Sequence, residues 1–81
     1  MDEMNGIIYS ISEASERLGN ISYRTLHYYE QKVGLKINRD GSGNRIYTER
    51  DIDLFDKIIE LKKKGMSLDG IRAIFQEKGF V

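Results

Sequence analysis

A chain of 81 residues holds one small domain, and a domain of that size buries only about 60% of the surface its unfolded chain exposes, which excludes a large enzyme fold. Hydrophobic residues make up 40% and charged residues 32%, a globular balance rather than a disordered one. With no cysteine and a single histidine, His27, neither a disulfide framework nor a thiolate or histidine metal cluster can be assembled.

The 13 basic and 13 acidic side chains cancel, but they are segregated along the chain: residues 1–19 carry −3, 20–47 carry +3, 48–60 carry −3 and 61–81 carry +3. A neutral chain of this kind can present a basic face. Asp2 and Glu3 open the chain and no run of about 18 apolar residues occurs, so neither a signal peptide nor a membrane span is expected and the expected location is the cytoplasm.

Taken in order, Ser10 and Glu13 form a capping box, and Ile11, Ala14 and Leu18 recur at helical spacing up to Gly19, which predicts a short first helix. Beyond the Gly19-Asn20 break, Ser22 caps a second helix whose inward positions are Leu26, Tyr29 and Val33. On a helical wheel Arg24, His27, Tyr28 and Gln31 then fall within about 100° of one another on the opposite side and face outward. Two helices joined by a short glycine turn is the form of a helix-turn-helix, shared with helical hairpins that have no nucleic-acid role.

From Leu35 the period shifts to two: Leu35 and Ile37 point one way, Lys36 and Asn38 the other, which predicts a strand. Asp40-Gly41-Ser42-Gly43 supply a turn and Arg45-Ile46-Tyr47 the returning strand. Thr48 and Asp51 open a third helix with an apolar stripe of Ile52, Phe55, Ile58 and Ile59 and an end near Gly65. Ser67 caps the last helix, with Leu68, Ile71, Ile74 and Phe75 inward and Gly79 near its end. No repeat and no linker divides residues 1–81, so the expectation is a single, mainly α domain of order helix, turn, helix, hairpin, helix, helix.

The segments Tyr9-Ser-Ile-Ser-Glu-Ala14 with Leu18-Gly19, Ile21 through Glu30, Gly34-Leu35, Arg39, Gly43 through Thr48, Ile52, Gly65 through Leu68 and Ile71 form an ordered set. Over residues 8–75 this set resembles the winged-helix DNA-binding domain of bacterial MerR-type transcription regulators. The resemblance implies a winged helix-turn-helix of four helices with a two-stranded β-hairpin wing between helices 2 and 3. It further implies that helix 2 enters the major groove of double-stranded DNA while the wing lies along the backbone, in a cytoplasmic, nucleoid-associated protein without a cofactor. The pattern also has departures. His27 stands where the family usually has arginine, no proline precedes Arg39, and Lys32-Val33-Gly34 is one residue longer than the usual passage into the wing.

Family members generally continue into a long dimerisation helix and often an effector-binding domain. The expectation is therefore a monomer for these 81 residues, a homodimer where a longer chain supplies that helix, and RNA polymerase as a further partner. Such a dimer bends and untwists promoter DNA between two half-sites.

Each candidate contact has a plainer alternative. Arg24, in the first turn of the second helix, reaches a phosphate or a guanine edge, or else forms a surface ion pair. Tyr28 offers a ring and a hydroxyl, His27 a neutral donor, and Gln31 completes the outward face. Ser22 and Tyr23 sit where backbone N–H groups and the helix dipole favour phosphate, although Ser22 also serves as a cap. Asn44 and Arg45 have the donors to grip a backbone from the wing; Tyr47 joins them or is a core aromatic beneath it. The Lys62-Lys63-Lys64 run reads as a solvated helix end.

Residues 41–43 lack the lysine of a phosphate-binding loop and any dinucleotide fingerprint, and no nucleophile, base and orienting group share a spacing, so catalysis is not expected. Two other readings remain beside a sequence-specific regulator. One is a DNA-architectural, segregation or excisionase-type protein using the same winged head. The other is a protein-interaction module in which the second helix and wing dock an acidic partner, a reading under which Arg24→Ala with Arg45→Ala would leave DNA binding unaffected.

Overall fold

The computed structural model describes residues 6–81, so Asp2 and Glu3, on which the reading of the amino terminus rests, lie outside the described residues. Its elements are β1 (Ile8–Tyr9), α1 (Ile11–Arg17), α2 (Tyr23–Val33), β2 (Asn38–Arg39), β3 (Arg45–Thr48), α3 (Glu49–Lys63) and α4 (Leu68–Glu77). Each helix begins at its expected cap. Glu13 N donates to Ser10 Oγ at 3.2 Å while Ser10 N donates to Glu13 Oε1 at 2.8 Å, and Thr48 with Asp51 repeats this reciprocal pattern at the start of α3. Ser22 and Ser67 accept from the amides of Thr25 and Gly70 at 3.0 and 3.1 Å. A cap of this kind contributes about 1 kcal/mol by pairing an amide that the helix itself cannot pair.

Between α1 and α2 the chain reverses through two left-handed residues, Gly19 (φ 80°) and Asn20 (φ 63°), the second a residue type that tolerates this conformation. Buried Ser15 closes the turn from within by donating to the Ile21 carbonyl at 2.6 Å. At the far end of α2, Gly34 (φ 90°) stops the helix, and the amides of Gly34 and Leu35 both reach the Glu30 carbonyl, at 2.9 and 3.0 Å.

The fold is mainly helical with a small antiparallel sheet, as expected, but the sheet differs in two ways from the hairpin predicted. It has three strands in the order β1-β3-β2, because Ile8 and Tyr9 pair with Thr48 and Tyr47 on the outer side of the wing strand. The descending strand is Asn38–Arg39, paired with Ile46 and Arg45, and not the alternating stretch that starts at Leu35. Leu35 is buried and Ile37 half-buried, so their alternation records packing of an extended but unpaired segment. The turn that follows is held by Asp40, whose Oδ1 accepts from the amides of Ser42 and Asn44 at 2.9 Å each. Those bonds hold the Asp40 carboxyl below its ordinary range.

The core lies where α2, α3, α4 and the wing strand meet. Ala14, Leu26, Val33, Tyr47, Phe55, Ile58, Ile71 and Phe75 are buried there, α2 packing mainly on α4. Leu54 of α3 joins the stripe predicted for that helix, and Phe80 meets Phe75 edge-on with ring centroids 5.2 Å apart. On the opposite side a surface cluster ties β1, α1 and α3 together. Arg17 donates to the Tyr9 hydroxyl at 2.6 Å and to Glu49 at 3.3 Å, while Tyr9 donates to Glu49. Among the described residues no helix is long and apolar enough to cross a membrane.

Candidate nucleic-acid interface

The spacing of α2 buries Leu26 and Val33 and turns a second face to solvent. Tyr23 and Tyr28 are 47% and 51% exposed, and Arg24, Gln31 and Lys32 are exposed with them. Among the described residues these two are the exposed aromatic rings, and both lie on α2. Among the described residues Arg24 has no ion-pair partner. Ser22 is engaged as the cap and also donates to Thr25 Oγ1 at 2.8 Å.

His27 departs from the outward position predicted for it. It is half-buried, and its buried Nε2 has no hydrogen-bond partner among the described residues. The ring stands as a ridge between two clefts. The larger, of about 590 Å³, runs between the start of α2 (Tyr23) and the wing (Arg39, Asn44, Arg45), floored by the β1–α1 corner at Ser10. The smaller, of about 440 Å³, lies toward the end of α2 and is lined by Glu30, Gln31 and Arg45.

The wing residues separate into three. Asn44 is exposed at the edge of the larger cleft. Arg45 is half-buried, and its Nε donates to Glu30 Oε1 at 2.9 Å, so it is a held cation and not a free one. Tyr47 is fully buried, its ring 6.0 Å from Phe55 and its hydroxyl without a partner among the described residues. Of the two roles open to it, the core role is the one the fold gives it, and it presents nothing to a ligand at the wing. Burial, and then the nearby Glu30 carboxylate, push the Tyr47 hydroxyl up to about 12.

The fold thus gathers Tyr23, His27, Asn44 and Arg45 around one cleft, sets Arg24, Tyr28 and Gln31 on the open face of α2, and leaves out Tyr47. It adds residues that the sequence reading passed over: Ser10 and Arg39 in the cleft and, above all, Glu30. The signal for Glu30 was available, since it is the one carboxylate on α2 and lies toward the helix end, where a negative charge opposes the macrodipole. Among the described residues no three histidine, cysteine, aspartate or glutamate side chains gather closely enough to hold a metal.

Residues 9–78 match the model of the MerR HTH family regulatory protein. YyaN, an HTH-type transcriptional regulator of Bacillus subtilis, is 44% identical over 73 residues, which cover 88% of this chain and 51% of that protein. An HTH-type transcriptional regulator of Haemophilus influenzae is 39% identical over 66 residues, 79% of this chain and 47% of its own length. The chain therefore spans about half the length of these relatives. Among solved structures, HiNmlR, a MerR family regulator lacking the sensor domain and bound to promoter DNA, superposes with a TM-score of 0.83 at 32% identity, over 91% of this chain and 56% of that one. That likeness makes the four helices and the small sheet a winged helix-turn-helix. The chain belongs to the MerR family of transcription regulators, and these residues form the family's helix-turn-helix DNA-binding domain.

Proposed function

We propose that this domain reads a specific sequence of double-stranded DNA, with α2 in the major groove and the wing along the backbone. The observation that carries the reading is the open face of α2, where Arg24, without an ion-pair partner among the described residues, lies between exposed Tyr23 and Tyr28 beside a cleft walled by the wing. A major groove about 12 Å wide admits a helix of this size, and an arginine in its first turn has the fork that pairs with guanine or grips a phosphate. Tyr23, Gln31 and Asn44 supply further donors, Ser22 stands at the helix start, where backbone N–H groups favour phosphate, and His27 lies at the seam. The solved relative bound to promoter DNA supports double-stranded DNA as the ligand.

In a regulator about twice this length, the added segment would pair two such domains on two half-sites about one helical turn apart. RNA polymerase would then be its partner at a promoter. Cytoplasmic location at the nucleoid follows from the same reading.

The test is titration of the chain against a random pool of short duplexes at two salt concentrations, with sequencing of the bound fraction. Enrichment of a half-site or an inverted repeat is expected, with a log-log salt slope of about −0.9 per phosphate neutralised. Salt-sensitive binding without enrichment would support an architectural protein instead. No binding at either salt would overturn DNA recognition in favour of a protein-interaction module.

A further inference from the structure

One ion pair joins the two elements that this function requires to act together. Glu30 lies in the last turn and a half of α2, and Arg45 opens β3 fifteen residues later. Their side chains are 14% and 25% exposed, with Nε and Oε1 2.9 Å apart. Glu30 is fixed from its main chain as well, because its carbonyl takes the two amides that end the helix. Its carboxylate is out of place on both local grounds. It sits toward the negative end of the helix dipole, and it stands on a helix whose other charges, Arg24 and Lys32, are both basic and suit a polyanion.

A carboxylate kept there must be offset by what it holds. We infer that Glu30 is a specificity-determining positioning residue, which pins Arg45 at the seam of α2 and the wing and withdraws its charge from indiscriminate phosphate binding. The inference rests on the DNA reading proposed above. A free arginine is attracted to any phosphate, and each phosphate neutralised tightens binding to all sequences alike. A pinned arginine adds little to that background. It also keeps the wing at one spacing from α2, so the remaining donors fit DNA in one register. Discrimination is a ratio of affinities, and lowering the background raises it as surely as a new base contact does.

The experiment compares the full chain with Glu30→Gln, using the duplex enriched from the random pool and a shuffled duplex of the same composition, each across a salt series. The expected result is tighter binding of the shuffled duplex with a salt slope steeper by up to about 0.9, and a ratio of specific to nonspecific affinity lower by about tenfold. Arg45→Lys keeps the charge but loses the Nε donor, and is expected to show the same fall in ratio. It carries the test should Glu30→Gln lose its fold by circular dichroism. In an Arg45→Ala background Glu30→Gln is expected to have no further effect on the ratio.

Unchanged ratio and slope in both single variants would overturn the inference. So would an equal loss of affinity for both duplexes, the mark of a merely structural pair. If the unmodified chain itself fails to discriminate, the DNA reading falls first and this inference with it, an outcome visible before any variant is made.

Discussion

Helices α2 and α4 are built alike and used differently. Each starts at a serine cap, Ser22 or Ser67, each is followed by a left-handed glycine, Gly34 or Gly79, and the two pack on each other through buried Leu26, Val33, Ile71 and Phe75. Their outer faces part company. That of α2 carries exposed Tyr23, Arg24 and Tyr28, whereas α4 shows Asp69, Arg72, Gln76 and Glu77, a solvated surface of mixed sign. Inner spacing accounts for the fold of both helices and leaves the outer rings of α2 unexplained. Function is legible in that remainder.

The comparison can be broken by substitutions, starting with the largest expected effect. Leu26→Ala, on the inner face of α2, is expected to cost about 2–5 kcal/mol by thermal or denaturant unfolding, a large share of the stability of a small domain. Arg24→Ala, two residues away on the outer face, is expected to change stability by less than about 0.5 kcal/mol. Its affinity for the enriched duplex is expected to fall by about 1–3 kcal/mol, while Arg72→Ala on α4 changes neither quantity. Equal losses of affinity for Arg24→Ala and Arg72→Ala would erase the distinction between the helices.

A smaller effect sharpens the boundary of the interface. His27→Arg places a permanent cation on the ridge between the two clefts and is expected to steepen the salt slope of binding by about 0.9; an unchanged slope would put His27 outside the contact surface. The smallest effect concerns Tyr47. Tyr47→Phe removes a buried hydroxyl that lacks a partner, and is expected to be neutral or to stabilise by up to about 1 kcal/mol without altering DNA affinity. The hydroxyl titrates near 12 in the fold against an ordinary 10.0, so the folded state keeps its proton longer than the unfolded chain. Its contribution is full below pH 10 and is lost as the pH rises from 10 toward 12, a loss the phenylalanine variant lacks when unfolding is measured at pH 8 and pH 11.

The features read correctly from the sequence are those set within one turn of helix. Ser10 with Glu13, Ser22, Thr48 with Asp51, and Ser67 each mark a helix start because the capping bond spans three residues. What escaped was set by distant partners. β1 is two residues long, too short for alternation to show, and exists because β3 offers it an edge about forty positions away. Leu35 and Ile37 alternate without pairing, since the core of the helices and not a ladder draws Leu35 inward. Arg45 looked like a free wing cation, because nothing local announces that Glu30, on another element, already holds it. His27 fell on the outward side of the wheel, yet it is half-buried and lines a cleft shared with the wing.

The four residues of β3 together tie it to α2, β2, β1 and α3. Arg45 is bound to α2, Ile46 is paired with Asn38, Tyr47 is paired with Tyr9 and sunk against Phe55, and Thr48 is paired with Ile8 while it caps α3. This arrangement determines where the wing can change length. Residues 41–43 project into solvent at the hairpin tip, where insertions are tolerated, so a longer or shorter wing is open to this scaffold there. One residue inserted within β3 would instead turn every following side chain to the opposite face, expelling Tyr47 from the core and uncoupling the amino-terminal strand, the wing and the cap of α3 in a single step.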